Sequence, residues 1–336
     1  MVLVLVSNYK PLEVRFAKQT IVNGELLLEI VEDQELKEHL LEAFQKHEND
    51  QRIQEIVDEM TEELGEGNLM PDILPKLAQY ELTLLDWIRT HKGNRKYVAL
   101  TSKCWPAFQT QFGFVPCYVN SRLTAKGIPV SCEVDIYGAL SEFIGVCVAK
   151  DAVTILDINN TVPKDMYVEY IKGNQYIGGE YSNNDLFMGF HCGNTASSKL
   201  TSCKMCNQRI MSRSLPCEIT KGTIEGDLLP GKTTIFRLQS SADTKLKAYV
   251  AQGEILPVAT KSYGSIGIFA IKNMSRFYRH VLIEKNYPHH AAILFDSYGK
   301  YLYEIFKYIG VPVADIDYNK NKERFYTTEN PFVQED

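Results

Sequence analysis

The sequence lacks any dense run of lysine and arginine, and its balance of charge is acidic. The net charge is −6 and the isoelectric point is about 5.7, whereas a nucleic-acid-binding protein needs a basic face. We therefore expect no nucleic-acid partner. The sequence also lacks any stretch that approaches the ~18 uninterrupted apolar residues of a membrane span, so we expect no membrane partner.

A secretory leader and a disulfide framework are missing as well. The apolar run Met1–Val6 follows no basic segment and is too short for a signal peptide, which predicts a first strand and a cytoplasmic protein. In that compartment the eight cysteines are expected to be free thiols. Cys203 and Cys206 form one CxxC pair without the second pair of a zinc ribbon, so structural zinc is the less favoured interpretation.

The length, the composition and the pattern of helices and strands predict two domains of class α/β. The 336 residues are 45% hydrophobic and 23% charged, as in ordinary globular proteins with real cores. Helical and strand patterns alternate over residues 1–158, which predicts a Rossmann-like α/β domain. Residues 159–336 are richer in glycine, asparagine and short strands, which predicts a mainly antiparallel, barrel-like β domain. The polar tail from residue 319 is expected to be loosely held.

Hydrophobic periodicity and turn residues give the individual elements. The expected helices are 35–48, 51–64, 72–90, 136–149 and 298–309, with a helix-like stretch that ends at residue 112. The expected strands are 1–6, 97–100, 127–133, 152–157, 222–225, 233–238, 246–250 and 267–271.

Two acidic residues end two of the apolar runs. Glu133 ends the run 127–133, Asp157 ends the run 152–157, and Asp135 is placed to cap the helix between them. A right-handed crossover would make the two strands parallel neighbours and bring both carboxylates to one sheet edge. Two such acids repel each other unless a cation, a shared proton or a substrate lies between them. The alternative is that one acid caps a helix and the other faces water.

Histidines supply a third kind of ligand. His289 and His290 precede the apolar run 291–295, and two carboxylates with one imidazole suit Mn²⁺ or Mg²⁺. A tandem histidine pair taken alone is more often structural or on the surface. His191 is expected on a loop beside glycine and asparagine, where it could reach a ligand or simply bond to the backbone.

The segment Gly226–Thr233 satisfies the P-loop pattern. A phosphate-binding loop requires a helix directly after its Lys-Thr pair. The residues that follow here, 233–238, are β-branched and strand-like, and Pro230 removes one backbone donor. We therefore expect a strand and no nucleotide site.

Four segments together resemble the L-fucose isomerase and L-arabinose isomerase family. They are Cys132–Leu140, with an aspartate 24 positions after its glutamate, then Phe190–Asn194, Gly231–Leu238 and Pro288–His290. The similarity runs from about residue 97 to residue 310. Members usually carry a further N-terminal α/β domain that helps close a neighbour's active site, and this sequence is expected to lack it.

The resemblance implies a metal-dependent aldose–ketose isomerase, an intramolecular oxidoreductase that acts on a small L-fucose- or L-arabinose-like sugar through a cis-enediol. It implies that Glu133 and Asp157 bind Mn²⁺, or another divalent cation such as Mg²⁺ or Co²⁺, and share the acid–base work. It implies His290 as the third ligand, with His289 and His191 as alternatives, and no organic cofactor. Trp105 and His191 are the implied substrate contacts.

The resemblance also implies a homo-oligomer, a trimer or hexamer. Because a domain is expected to be absent, a non-catalytic sugar-binding or regulatory module on the same scaffold is the main alternative. A zinc-stabilised interaction protein that uses Cys203 and Cys206 is a weaker one.

Overall fold

The computed structural model describes residues 2–6, 20–21, 24–25, 27–30, 33–92, 96–102, 104–105, 107–158, 161–177 and 180–318. The predicted loose tail from residue 319 lies outside the described residues. The helices are α1 Asp33–Lys46, α2 Arg52–Leu64, α3 Leu74–His91, α4 Ala107–Phe112, α5 Cys117–Ala125, α6 Ile136–Ala149, α7 Lys164–Met166, α8 Met274–Phe277 and α9 Gly299–Tyr308.

The strands are β1 Val2–Val6, β2 Thr20–Ile21, β3 Gly24–Glu25, β4 Leu27–Ile30, β5 Val98–Ser102, β6 Val130–Ser131, β7 Thr154–Ile158, β8 Leu186–His191, β9 Lys204–Asn207, β10 Lys221–Asp227, β11 Gly231–Ser240, β12 Leu246–Ile255, β13 Ser265–Ala270, β14 His290–Leu294 and β15 Ile316–Tyr318. The five full helices expected from periodicity are confirmed to within two residues at each end. Helix α5 and strand β8 were not predicted.

The N-terminal half contains a four-stranded parallel sheet. Its order is β4-β1-β5-β6, and every neighbouring pair runs parallel, as an α/β unit requires. Helix α3 has Pro75 in its first turn, where the missing N–H costs no helical hydrogen bond. It buries Leu77 and Tyr80 completely or nearly so. The more specific Rossmann-like arrangement stays a prediction.

The C-terminal half contains a closed barrel. Strands β12, β11, β14, β7, β8 and β13 pair in that order, and β13 pairs back onto β12. All six contacts are antiparallel, so closure leaves these strands without a free edge. The predicted barrel-like, mainly antiparallel character of this half is therefore confirmed.

One topological prediction is wrong. Strand β6, which leads to Glu133, lies in the parallel sheet, whereas β7, which carries Asp157, lies in the barrel between β14 and β8. The crossover rule applies only to two strands of one sheet, and a short apolar run does not reveal which sheet it enters. Helix α6 connects the two sheets, and its Gly145 allows close packing against Val153 and Leu294.

The two sheets share a core. Leu77 and Phe108 from the helical layer belong to the same buried cluster as Ile235 and Tyr249 from the barrel. This shared core fixes the end of β6 relative to the barrel strands, and so it positions the candidate site. Among the described residues, no helix is long and apolar enough to cross a bilayer.

Candidate metal centre

The turn after β6 carries Glu133 in a rare backbone conformation. Glu133 and Val134 have φ values of 61° and 58°. A positive φ at a β-branched residue is a genuine outlier, and such positions cost on the order of 1–3 kcal/mol each. The turn is held by hydrogen bonds from the Val134 N–H to the Ser102 carbonyl and from the Asp135 N–H to the Cys132 carbonyl. Such strain is typical of functional turns.

Strand register brings the second acid to a histidine. His290, the first residue of β14, is the direct antiparallel partner of Asp157 on β7. Directly opposed residues project their side chains on the same face of a sheet. Asp157 is also the partner of Phe190 on β8, which places His191 one residue further along that strand. The barrel therefore assembles this part of the site from three neighbouring strands.

Four side chains converge where the turn meets the barrel. The Nε2 atom of His290 lies 3.2 Å from Asp157 Oδ1 and 3.6 Å from Glu133 Oε2. The Nε2 atom of His289 lies 3.4 Å from the same Asp157 oxygen. The donor atoms of Glu133, His289 and His290 all lie within 4.8 Å of one another, and Asp157 extends this set through its two imidazole contacts.

Exposure increases steadily across the centre. The exposed fraction of the side chain is 6% for His290 and 64% for Glu133, with Asp157 at 25% and His289 at 63%. The buried side is therefore formed by His290 and Asp157, and the side open to solvent by Glu133 and His289. A small ligand can approach from the open side.

The donor atoms fit a divalent cation. Within the described part of the chain, His290 Nε2 and Asp157 Oδ1 are buried and have no hydrogen-bond partner, a condition that native proteins rarely tolerate without a reason. Octahedral metal–ligand bonds of about 2.1 Å place neighbouring ligands about 3 Å apart, close to the 3.2 and 3.6 Å that separate His290 Nε2 from Asp157 and Glu133. Imidazole with carboxylate suits Mn²⁺ and related cations.

The opposite ring nitrogen of His290 is held by Asp135. Asp135 Oδ2 accepts hydrogen bonds from His290 Nδ1 at 2.9 Å and from Arg237 Nη1 at 2.5 Å. Asp135 Oδ1 accepts from the Gly138 N–H at 2.8 Å, so the predicted helix cap is confirmed. The contacts with His290 and Arg237 were not predicted, although Asp135 lies only two positions after Glu133.

These charges change the pKa values of the centre. Burial alone would lower the pKa of His290, but the neighbouring carboxylates Asp135 and Asp157 outweigh it and raise that pKa to about 10. Burial would raise the pKa of Asp157, but the His290 imidazole beside it lowers that pKa. Burial likewise opposes ionisation of Asp135, yet His290 and Arg237 hold its pKa well below the usual range. Both carboxylates are therefore anionic at neutral pH.

A further buried acid, Glu142, was missed. It lies on α6 and is 1% exposed, and its two carboxylate oxygens have no hydrogen-bond partner among the described residues. Burial raises its pKa to about 8, and the charges of His191, Asp135 and His290 act on it. The signal was available, because Glu142 is the only charged residue of the apolar run 136–149.

The other predicted site residues lie around this centre. His191 is the last residue of β8 and is buried, so the expected loop position is wrong. Its ring centroid is 6.4 Å from that of His290. Trp105 is 39% exposed, and the adjacent Cys104 sulfur lies 3.8 Å from that of Cys132, which directly precedes Glu133. The substrate roles of Trp105 and His191 stay predictions.

The P-loop-like segment forms a strand, as predicted. Residues 233–238 belong to β11, with no helix after Lys232. All eight cysteines, which include Cys203 and Cys206, are free thiols. Across the ranges that the structure describes, Glu133, His289 and His290 form the one group of three or more metal-ligating side chains that lie close enough to share an ion.

Comparison with known proteins points to one family. The sequence profile described as "L-fucose isomerase, C-terminal domain" matches residues 189–317. A sulfoquinovose isomerase from Alkalicoccus urumqiensis is 24% identical over 242 residues, which cover 72% of this chain and 48% of that relative. A sulfoquinovose isomerase from Priestia aryabhattai is 35% identical over 77 residues, or 23% of this chain and 16% of the relative.

A third relative, from a Clostridium species, is 42% identical over 65 residues and is also named sulfoquinovose isomerase. The chain thus spans about half the length of the Alkalicoccus relative and a smaller share of the other two. The resemblance to the L-fucose isomerase family is confirmed. The matched C-terminal domain contains His191, Arg237, His289 and His290, whereas Glu133 and Asp157 precede it.

Proposed function

We propose that this chain carries the metal centre of an aldose–ketose isomerase. The observation that supports the proposal most is the convergence of Glu133, Asp157 and His290, in which the buried Nε2 atom of His290 lies 3.2 Å from Asp157 Oδ1 and 3.6 Å from Glu133 Oε2. A buried imidazole nitrogen and a carboxylate oxygen that lie 3.2 Å apart without a well-formed hydrogen bond suit a shared cation better than a purely structural role. The matched family and the names of the relatives support the same reaction class.

The proposed roles follow from the chemistry of the side chains. Glu133, Asp157 and His290 would hold the cation, and the exposed His289 is the alternative imidazole ligand. When bound, a divalent cation such as Mn²⁺ supplies Lewis-acid polarisation of the sugar carbonyl. The carboxylates of Glu133 and Asp157 move a proton between C1 and C2 of the sugar, through a cis-enediol. Two acid–base groups have work to do, because one proton moves between the two carbons and a second proton moves between their oxygens.

The finer assignments are part of the same proposal. The substrate is a small aldose, and L-fucose, L-arabinose and the sulfoquinovose of the relatives' names are the first sugars to compare. Trp105 and His191 are the proposed substrate contacts. We also propose that the protein is cytoplasmic, acts in carbohydrate metabolism and assembles as a trimer or hexamer, with one centre in each chain.

The test compares Glu133→Gln and Asp157→Asn with the wild-type chain. Each change keeps the shape of the side chain but removes the charge that attracts a cation and the basicity that takes a proton. We expect each to reduce isomerisation ~10²–10⁴-fold, the usual effect of losing a proton-transfer group, and to weaken Mn²⁺ binding. Ketose formation and the electron paramagnetic resonance signal of free Mn²⁺ measure the two effects separately.

Glu225→Gln is the matched control, since Glu225 lies on β10 and pairs with Arg209 rather than with the histidines. It should bind Mn²⁺ and act on sugars like the wild type. Equal turnover by wild type and Glu133→Gln would refute the proposed mechanism. If the Mn²⁺-loaded wild type binds an aldose but converts none, the sugar-binding or regulatory alternative takes its place.

A further inference from the structure

His290 lies between carboxylates on both of its ring nitrogens. Its Nε2 atom faces Asp157 and Glu133 at 3.2 and 3.6 Å, and its Nδ1 atom lies 2.9 Å from Asp135 Oδ2. A neutral imidazole donates from one nitrogen and accepts, or binds a metal, through the other. The partner of Nδ1 therefore decides what Nε2 presents to the centre.

Asp135 is itself held in a fixed orientation. Arg237 donates to both of its oxygens, at 2.5 and 2.7 Å, and this bidentate geometry fixes the plane of the carboxylate. Arg237 is 2% exposed, and its Nε and Nη2 atoms also donate to Gln239 Oε1, at 3.2 and 2.9 Å. Neither Asp135 nor Arg237 is free to turn.

The same carboxylate also joins the strained turn to α6. Asp135 lies two residues after Glu133, and its Oδ1 atom caps the helix at the Gly138 N–H. The turn, the helix and the β14 histidine are thus all attached to one carboxylate. A displacement of Asp135 would change the position of Glu133 and the orientation of His290 together.

We infer that Asp135, held by Arg237, is a positioning residue that keeps the proton of His290 on Nδ1 and directs Nε2 at the cation. The inference rests on the proposed metal centre. A carboxylate that accepts a hydrogen bond from the far nitrogen of a ligating histidine fixes its tautomer and ring orientation, and its loss typically costs 10–100-fold in metal affinity. Asp135 does this without touching the substrate.

Two substitutions separate this role from helix capping. Asp135→Asn keeps an N-cap oxygen for Gly138, because asparagine caps as well as aspartate, but it can place an amide N–H opposite His290 Nδ1. Asp135→Ser keeps the cap but is too short to reach the ring. We expect both to weaken Mn²⁺ binding by about 10–100-fold and to lower the unfolding temperature, because the buried Arg237 loses its counter-charge; Mn²⁺ affinity is therefore measured well below that temperature.

Asp185→Asn is the control for the loss of a locally bonded, buried aspartate. Asp185 bonds to Ser182 and Asn273 near the opposite end of β8 from His191, so the change should lower the unfolding temperature and leave Mn²⁺ affinity within about twofold. Unchanged Mn²⁺ affinity in both Asp135 variants, beside a wild type whose binding is lost in Glu133→Gln, would overturn the inference.

Nuclear magnetic resonance of the metal-free chain tests the inference separately from the proposed function. We expect a strongly deshielded Nδ1–H proton for His290 in the wild type that is lost in Asp135→Asn. Absence of that signal from the wild type would overturn the inference even if Mn²⁺ binds. Its presence in a chain that binds no Mn²⁺ would support the positioning contact while refuting the metal centre.

Discussion

Two buried arginines, Arg122 in the helical layer and Arg237 in the barrel, both contact carboxylates but differ in where their ionic contacts lead. Arg122 is 5% exposed and contacts the carboxylates of Glu59, Glu63 and Glu81. Its acids have further partners of their own, for Glu81 also pairs with Lys126 at 2.6 Å. Glu63 also accepts a hydrogen bond from Ser197 Oγ at 2.5 Å, and the described ionic contacts of this cluster end among its own members.

The contacts of Arg237 extend to the candidate metal centre. They pass through Asp135 to His290, whose Nε2 atom faces Asp157 at 3.2 Å and Glu133 at 3.6 Å in the candidate metal centre. An ionic network that is closed within the packing stabilises the fold, whereas one that ends at side chains open to solvent can accept a ligand. The comparison shows that the solvent-open end of the network, at Glu133 and His289, separates the candidate site from a structural cluster better than burial or charge alone.

The largest effect is expected from a substitution that breaks the ionic cluster around Arg122. Arg122→Met removes the main cation from Glu81, which is 0% exposed. Removal of one member of a buried ion pair typically costs about 3–5 kcal/mol, because a charge is left uncompensated. We expect a loss of that size in the free energy of unfolding, measured with urea, and an unchanged Mn²⁺ affinity in the variant that remains folded.

Arg209→Met provides the comparison at an exposed pair. Arg209 has 59% of its side chain exposed beside Glu225, and exposed ion pairs contribute only about 0–1 kcal/mol. Similar losses for Arg122→Met and Arg209→Met would show that the Arg122 cluster does not carry the stability assigned to it.

A pH series tests a difference between two buried acids: Glu81 pairs with Arg122 and Lys126, whereas Glu142 has no such partner among the described residues. Glu142 is buried without a bonded cation, and burial raises its pKa from the model-compound value of 4.5 to about 8. Between those values the folded chain holds a proton that the unfolded chain releases. The stabilising protonation is complete below the lower value and is lost as the pH rises, at up to about 1.4 kcal/mol per pH unit.

Glu142→Gln removes this titration while keeping the shape of the side chain. With a chelator present, we expect the variant to match the wild type near pH 5 and to be more stable than it near pH 8.5. Urea unfolding at each pH gives both curves. Parallel curves for the two proteins would mean that Glu142 does not titrate in this range.

Much of the fold could be predicted because its signals are local. The spacing of apolar residues in α3, such as Leu77 and Tyr80, gave a helix of the right extent. The site was harder, because Glu133 and Asp157 were expected to meet through one parallel sheet and instead meet across two. Side-chain donors can converge from several topologies, so a correct pair of residues does not establish the strand order that joins them.

The contact between Asp135 and His290 could not be predicted from spacing. The two residues are 155 positions apart, and the helix cap already accounted for an aspartate at that place. Glu142 is a different case. A lone acid in an apolar helix is visible in the sequence, but whether a cation lies opposite it depends on packing between α6 and the barrel.

The smallest expected effect concerns the P-loop-like segment. Residues 231–233 pair in antiparallel register with residues 253–255 of β12, so they form part of a sheet rather than a ring of amides around a phosphate. The Lys232 side chain belongs to an exposed residue at the start of β11. We therefore expect millimolar ATP with Mg²⁺ to leave the unfolding temperature unchanged, and Lys232→Ala to change stability by no more than about 0.5 kcal/mol, as is usual at exposed positions. A saturable rise in unfolding temperature that ATP produces in the wild type and not in Lys232→Ala would show that the segment binds phosphate despite its strand. Because the pattern of glycines and lysine is intact, that result would also mean that pairing of the backbone in a strand does not by itself exclude a phosphate site.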